Sequence, residues 1–168
     1  TDGCTITTAD NTDQLTLKST DADANAGPIF VLNRDSGSPA DNDLIGKVQF
    51  SADDDGGNSL DYATINIKAT DVSDGSEDGE FDISTVVAGT SRSRMRADGT
   101  ETIFNENSVD VDFRVEGNGD THALFVQGSD DKVGINNSSP VEMLTIGTTS
   151  DSASRIQFLT STSGNATI

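Results

Sequence analysis

Apolar and polar side chains alternate most regularly between residues 109 and 116. Val109, Val111, Phe113 and Val115 are apolar, and each is followed by a charged residue. A period of two over eight residues is typical of a strand with one buried face and one solvated face. The pattern therefore predicts one continuous strand from Val109 to Glu116.

Shorter apolar runs follow this strand at a nearly constant spacing. If Phe113 in this first strand is counted, the apolar runs begin near residues 113, 124, 133, 144 and 156. Turns rich in Gly, Asn, Asp and Ser separate them. This spacing is expected of short strands that stack or meander. The apolar side chains of this stretch are the predicted core of an assembly of three chains: Val109, Val111, Phe113, Val115, Leu124, Val126, Val133, Ile135, Leu144 and Ile146.

The rest of the chain also favours strands over helices. No apolar residues recur at helical spacing over eleven or more positions, so we expect little helix. The run Ile29–Leu32 is continuously apolar and predicts a strand buried on both faces, whereas Ala63, Ile65, Ile67 and Ala69 predict one apolar face. Gly46 within its strand indicates a bulge. Further strands are predicted at residues 14–18, 44–50, 60–70, 81–87, 91–97 and 155–159.

These elements divide the chain into three predicted segments. Residues 1–43 form an N-terminal β segment, residues 44–104 a β domain with acidic loops, and residues 105–168 a repetitive β-strand segment of a fibre. The first residue is Thr1 and the last falls in an apolar run, so we expect a fragment of a longer chain. The predicted fold class is all-β: short strands in an intertwined trimeric fibre, built as a β-helix, a β-prism or small β-sandwich units.

The composition favours a core that several chains share. Only 32% of residues are hydrophobic and 5% aromatic, with no Trp and a single Tyr. Burial of apolar surface contributes roughly 25 cal/mol per Å², so a chain with few large side chains has little to set against its conformational entropy. Identical chains that share one core solve this problem, and a monomeric β domain is the alternative.

The net charge of −19 limits the partners that the chain can bind. With 29 acidic and 10 basic residues, it should repel nucleic acid and anionic membrane surfaces. No apolar run approaches the length of a transmembrane helix.

Arg92, Arg94 and Arg96 alternate along one predicted strand and should share a face, where they pair with carboxylates of a neighbouring strand or subunit. A ligand-binding basic stripe is the alternative.

Residues 71–80 carry five carboxylates, which is usual for a solvated loop. A weak Ca²⁺ or Mg²⁺ site is the alternative, and no other cofactor is expected. Its candidate ligands are Asp71, Asp74, Glu77, Asp78 and Glu80.

Little in the sequence predicts catalysis. His122 is the single histidine and Cys4 the single cysteine, so a zinc site is not predicted, and no phosphate-binding glycine motif is present. Paired carboxylates could cleave glycosides, but Tyr62 is the only Tyr or Trp that could form a sugar platform. We therefore expect no enzymatic activity.

One stretch is similar to a known module. The segment from Thr102 to Pro140, TIFNENSVDVDFRVEGNGDTHALFVQGSDDKVGINNSSP, resembles a module that recurs in fibre and structural proteins of marine tailed bacteriophages. The module usually has Gly and Thr where this chain has Asn136 and Asn137. We expect a slight difference at that turn and no more, since both Gly and Asn tolerate left-handed conformations.

The resemblance implies a homotrimeric, β-rich fibre, most simply a tail fibre, that is made in the host cytoplasm and carried on the virion. Its partners would be other virion proteins and a host cell-surface glycan or protein. Two alternatives stay open: a tailspike-like glycan depolymerase, and a calcium-dependent bacterial surface adhesin repeat.

Overall fold

The computed structural model describes residues 3–148, and within them the fold is all-β without a helix. The chain divides into two compact units, Thr1–Gly37 and a second unit that begins at Ser38. The predicted strand at 155–159 lies outside the described residues. Within residues 3–148, the structure contains no helix that could cross a membrane.

The first unit contains no strand in its described part, so the strands predicted at 14–18 and 29–32 are wrong. The apolar run Ile29–Leu32 is exposed rather than buried, and Ile29 alone is 69% exposed. Residues 3–33 make no backbone–backbone hydrogen bond with one another or with later described residues. An apolar run becomes a strand only where another backbone pairs with it, and in the described chain none does so here.

A five-stranded antiparallel meander opens the second unit, and we refer to it as sheet A. Its strands follow one another in both sequence and space. A type I′ two-residue hairpin needs positive φ at both turn positions, and Ala88 (φ 48°) and Gly89 (φ 76°) provide this between the third and fourth strands. The strands are β1 (Asp43–Asp53), β2 (Ser59–Asp71), β3 (Asp78–Val87), β4 (Thr90–Ala97) and β5 (Thr102–Phe104).

Sheet B has four shorter strands in the order in which they occur along the chain. The predicted continuous strand from 109 to 116 is wrong in extent, because pairing with the next strand begins only at Phe113. Val109 and Val111 precede it in a tight turn in which the Val111 amide donates to the Val109 carbonyl at 2.7 Å. The strands are β6 (Phe113–Val115), β7 (Leu124–Gln127), β8 (Lys132–Ile135) and β9 (Leu144–Ile146).

The last pair of strands is parallel although only eight residues connect them. Val133 pairs with Leu144, so the strands align the starts of the two apolar runs that begin near residues 133 and 144. Asn137 holds the connection: its Nδ2 donates to the Gly147 carbonyl at 2.5 Å, and its Oδ1 accepts from the Ser139 amide at 2.8 Å. Asn136 has a φ of 51°, so it adopts the left-handed conformation that Asn tolerates.

Candidate assembly surface

The register of sheet A places its apolar side chains in one row across all five strands. Direct partners in a sheet point to the same face, so the apolar face predicted from β2 is confirmed and extends over the whole sheet. A central row on this face consists of Val48, Ile65, Ile83, Met95 and Phe104.

Sheet B repeats this arrangement. Eight of the ten predicted core side chains lie on one of its faces, because the pairings alternate without a bulge. The two others, Val109 and Val111, lie outside the sheet. The eight are Phe113, Val115, Leu124, Val126, Val133, Ile135, Leu144 and Ile146.

Both apolar faces are open within the described chain. Phe104 of sheet A is 50% exposed and Leu144 of sheet B is 57% exposed, and Val48, Ile67 and Val126 are exposed as well. The single large apolar side chain that is buried among residues 3–148 is Phe125, at 5% exposure. It lies on the opposite face of sheet B, where the His122 ring packs edge-on against it at 5.0 Å. The side chains suited to a core therefore face outward.

The two open faces meet at a cavity. The last residue of β5, Phe104, and the first residue of β6, Phe113, are in ring contact there. The cavity has a volume of about 250 Å³, and Val111, Val126 and Gln127 also line it. The Gln127 Oε1 atom is buried without a hydrogen-bond partner among residues 3–148. Together the two open apolar faces and this cavity form what we call the assembly surface.

The opposite, polar face of sheet A is closed by hydrogen bonds. The Asp82 carboxylate accepts hydrogen bonds from the hydroxyls of Ser84 and Ser93, both of which are buried. The segment after β5 covers part of this face, since the Asn107 side chain accepts from the Ser93 amide at 2.8 Å. The hydrogen bonds of Asp82 thus satisfy polar side chains on this face, whereas the Arg96 Nε atom is buried without a hydrogen-bond partner among residues 3–148.

The three arginines of β4 do not share a face, so that prediction is wrong. A bulge between the Ile83 and Ser84 pairings leaves Arg94 as an extra residue and reverses the alternation. Arg96 lies opposite Asp82 on the polar face, whereas Arg92 lies opposite Thr85 on the apolar side. The alternation in the sequence gives no sign of the bulge, because the bulge inserts one residue without changing the pattern of residue types.

Arg96 makes ion pairs with three carboxylates. Its guanidinium lies 2.7 Å from Glu106, 3.2 Å from Asp98 and 3.8 Å from Glu80, and Glu80 also pairs with Lys68 at 2.7 Å. Of these partners, Glu80 lies on the neighbouring strand β3, whereas Asp98 and Glu106 lie outside the strands. Asp98 also accepts from the Thr100 amide and hydroxyl and from the Glu101 amide. These bonds, together with the Arg96 charge, lower the pKa of Asp98 to about 2.

The structure distributes the five candidate metal ligands over different environments. Glu80 is held by two cations, as described above, and Asp71 lies opposite Asp78 at the end of the β2–β3 pair. Asp71 accepts from Ser73, and this hydrogen bond lowers the pKa of Asp71. Asp74 and Glu77 lie in the turn between the strands. In residues 3–148, no three His, Cys, Asp or Glu side chains come together as a metal-binding group.

Sequence reasoning did not include the apolar face of sheet A among its candidate core residues, which it restricted to residues 109–146. The signal was present in the alternation of β2 and in Phe81 and Ile83 of β3. What the sequence does not contain is the register that aligns these residues with Phe104.

No protein-family model matches this chain. A search of curated proteins also finds no match.

Proposed function

We propose that this chain is a structural and adhesive segment of a bacteriophage tail fibre, in which three copies bury their assembly surfaces against one another. The observation that carries the proposal is the open apolar face of both sheets. A contiguous apolar surface of this kind on a protein usually marks a site of protein–protein contact. The trimeric state and the virion come from the resemblance of residues 102–140 to marine phage fibre modules.

Energetics support the shared core. At roughly 25 cal/mol per Å², the side chains of the two open faces contribute little while they remain in water. Their burial between copies would supply the stabilisation that the described part of one chain lacks, where Phe125 is the single large apolar side chain that is buried. Most carboxylates, on the polar face and in the loops, would stay outside, where they keep an acidic fibre soluble.

The role of such a segment is to extend and stiffen the fibre that carries the receptor contact. Loops such as residues 71–80 would add weak, distributed contacts to a host cell-surface glycan or protein. Other virion proteins would hold the ends of the fibre.

The oligomeric state tests the proposal. Sedimentation equilibrium at micromolar concentration should give three times the chain mass. Leu144→Asp places a charge on the assembly surface and should yield monomers. Val141→Asp is the matched control, because Val141 is 73% exposed but lies in the connection before β9, and it should leave the trimer intact.

A wild-type chain that is monomeric and stably folded at this concentration would overturn the proposal. Equal dissociation by both substitutions would also count against it, since the effect would then not depend on the apolar face.

A further inference from the structure

Arg92 is the arginine of β4 that makes neither an ion pair nor a side-chain hydrogen bond among residues 3–148, whereas Arg94 lacks a carboxylate but has a hydrogen bond. Arg96 has three carboxylates, and Arg94 donates from Nε to the Thr85 hydroxyl at 2.6 Å. The difference between Arg92 and Arg96 follows from the bulge at Arg94, which sends them to opposite faces of the sheet.

The position of Arg92 is on the assembly surface. Its direct partner is Thr85, which in turn lies opposite Ala63, and Ala63 lies opposite Phe50. Arg92 thus shares the face that carries Val48 and the rest of the central apolar row. The residue is half-buried there. Burial of this face would remove water from a guanidinium that has five donors and makes no hydrogen bond among residues 3–148, which is costly unless a carboxylate replaces the water.

We infer that Arg92 forms an ion pair with a carboxylate of a second copy of this chain and positions that copy on the apolar face. The inference rests on the proposed function and adds to it the residue that sets the contact. Charge complementarity selects the occupant: the chain has 29 acidic residues against 10 basic ones, so another copy presents carboxylates in excess. Arginine is enriched in the cores of protein interfaces, where its planar fork binds a carboxylate through two hydrogen bonds.

The excess of acidic residues also explains why a single arginine would have a large effect on the association of the copies. Copies that each carry a net charge of −19 repel one another, and an unpaired cation on the contact face offsets part of this repulsion. Removal of one partner from a desolvated ion pair leaves the other charge buried and uncompensated, which weakens binding by far more than the loss of an exposed pair.

Sedimentation of charge variants tests the inference on the full chain. Arg92→Glu should raise the concentration of half-dissociation at least tenfold. Arg92→Met, which keeps the stem without the charge, should raise it less, and Arg92→Lys least of all. Arg114→Glu is the matched control: Arg114 pairs with Glu116 at 2.7 Å and lies opposite Phe125, on the face of sheet B away from the assembly surface. It should assemble like the wild type.

The outcomes separate this inference from the proposed function. A trimeric wild type whose Arg92→Glu and Arg92→Met variants assemble equally well would overturn the role of Arg92 and leave the fibre proposal in place. A monomeric wild type would overturn the fibre proposal first. If Arg92→Glu loses its β-type circular dichroism spectrum, the Met and Lys variants decide: the inference requires Met to weaken assembly and Lys to preserve it.

Discussion

The rings of Phe104 and Phe113 lie with their centroids 4.8 Å apart and their planes inclined by 39°. Phe104 is the last residue of sheet A, and Phe113 is the first residue of sheet B. Each belongs to the open apolar face of its own sheet, so this single contact joins the two faces into one assembly surface.

We expect the two rings to stabilise the protein jointly. Tilted aromatic pairs at this distance contribute about 1 kcal/mol beyond the area that they bury. A double-mutant cycle of Phe104→Leu and Phe113→Leu, measured by urea denaturation, should give a coupling free energy of that size. Phe50→Leu replaces Phe104→Leu in the control cycle, since Phe50 lies on the far edge strand β1, and its coupling to Phe113 should be close to zero. Purely additive effects in the first cycle would show that the rings do not interact.

Gly134→Ala should destabilise the protein, because Gly134 has no room for a side chain. A Cβ at this position would lie 2.2 Å from the Asn137 carbonyl oxygen, and the connection between β8 and β9 would have to move. Overpacking of this kind costs about 3 kcal/mol of unfolding free energy. Gly119→Ala is the control, because a Cβ there meets nothing within 4 Å, and its effect should stay within about 0.5 kcal/mol. Equal urea midpoints for the two variants would contradict this account of the β8–β9 turn.

The left-handed turn at Asn136 predicts opposite effects of two substitutions. Its φ of 51° is strained for a β-branched residue, so Asn136→Val should lower the unfolding free energy by about 1–2 kcal/mol. Asn136→Gly should be neutral or stabilising, since Gly adopts this φ freely. Ser138→Val nearby is exposed and has no positive φ, and should be nearly neutral. If thermal unfolding ranks Asn136→Val with Ser138→Val, backbone conformation does not limit this turn.

Acid should weaken the β4–β5 turn through Asp98. The pKa of this carboxyl falls from 3.8 to about 2 on folding, chiefly because the amide and hydroxyl of Thr100 donate to it. A lowered pKa means that the stabilisation is fully present above pH 4 and is lost as the pH falls towards 2. Asp98→Asn should therefore be less stable than the wild type at pH 7, and the difference between their melting temperatures should shrink between pH 4 and pH 2.

The control for acid sensitivity is Asp55→Asn. Asp55 is exposed and makes no side-chain hydrogen bond within residues 3–148. Its substitution should leave the acid transition unchanged. A gap between wild type and Asp98→Asn that is constant from pH 7 to pH 2 would exclude Asp98 as a source of acid sensitivity.

The candidate surface was predictable in sheet B and only in part in sheet A. Alternation places Leu124 and Val126, or Val133 and Ile135, on one side of their strand by local geometry alone, and the pairings keep them together. Arg92 and Arg96 are an even number of residues apart, so a regular strand would place them on the same face. The bulge at Arg94 adds one residue between them, and they lie on opposite faces. Phe104 shows no pattern of its own and joins the surface only through its pairing with Met95.

By itself, the sequence determined the all-β class with little helix and the apolar face of β2. Periodicity and turn chemistry act over a few residues and can be read locally. Only the tertiary structure decided that Ile29–Leu32 lacks a pairing strand, that β6 begins at Phe113, and that the apolar faces stay open while polar side chains close the other face of sheet A. These depend on which backbone pairs with which, and in what register, and such long-range pairing is not set by any one segment.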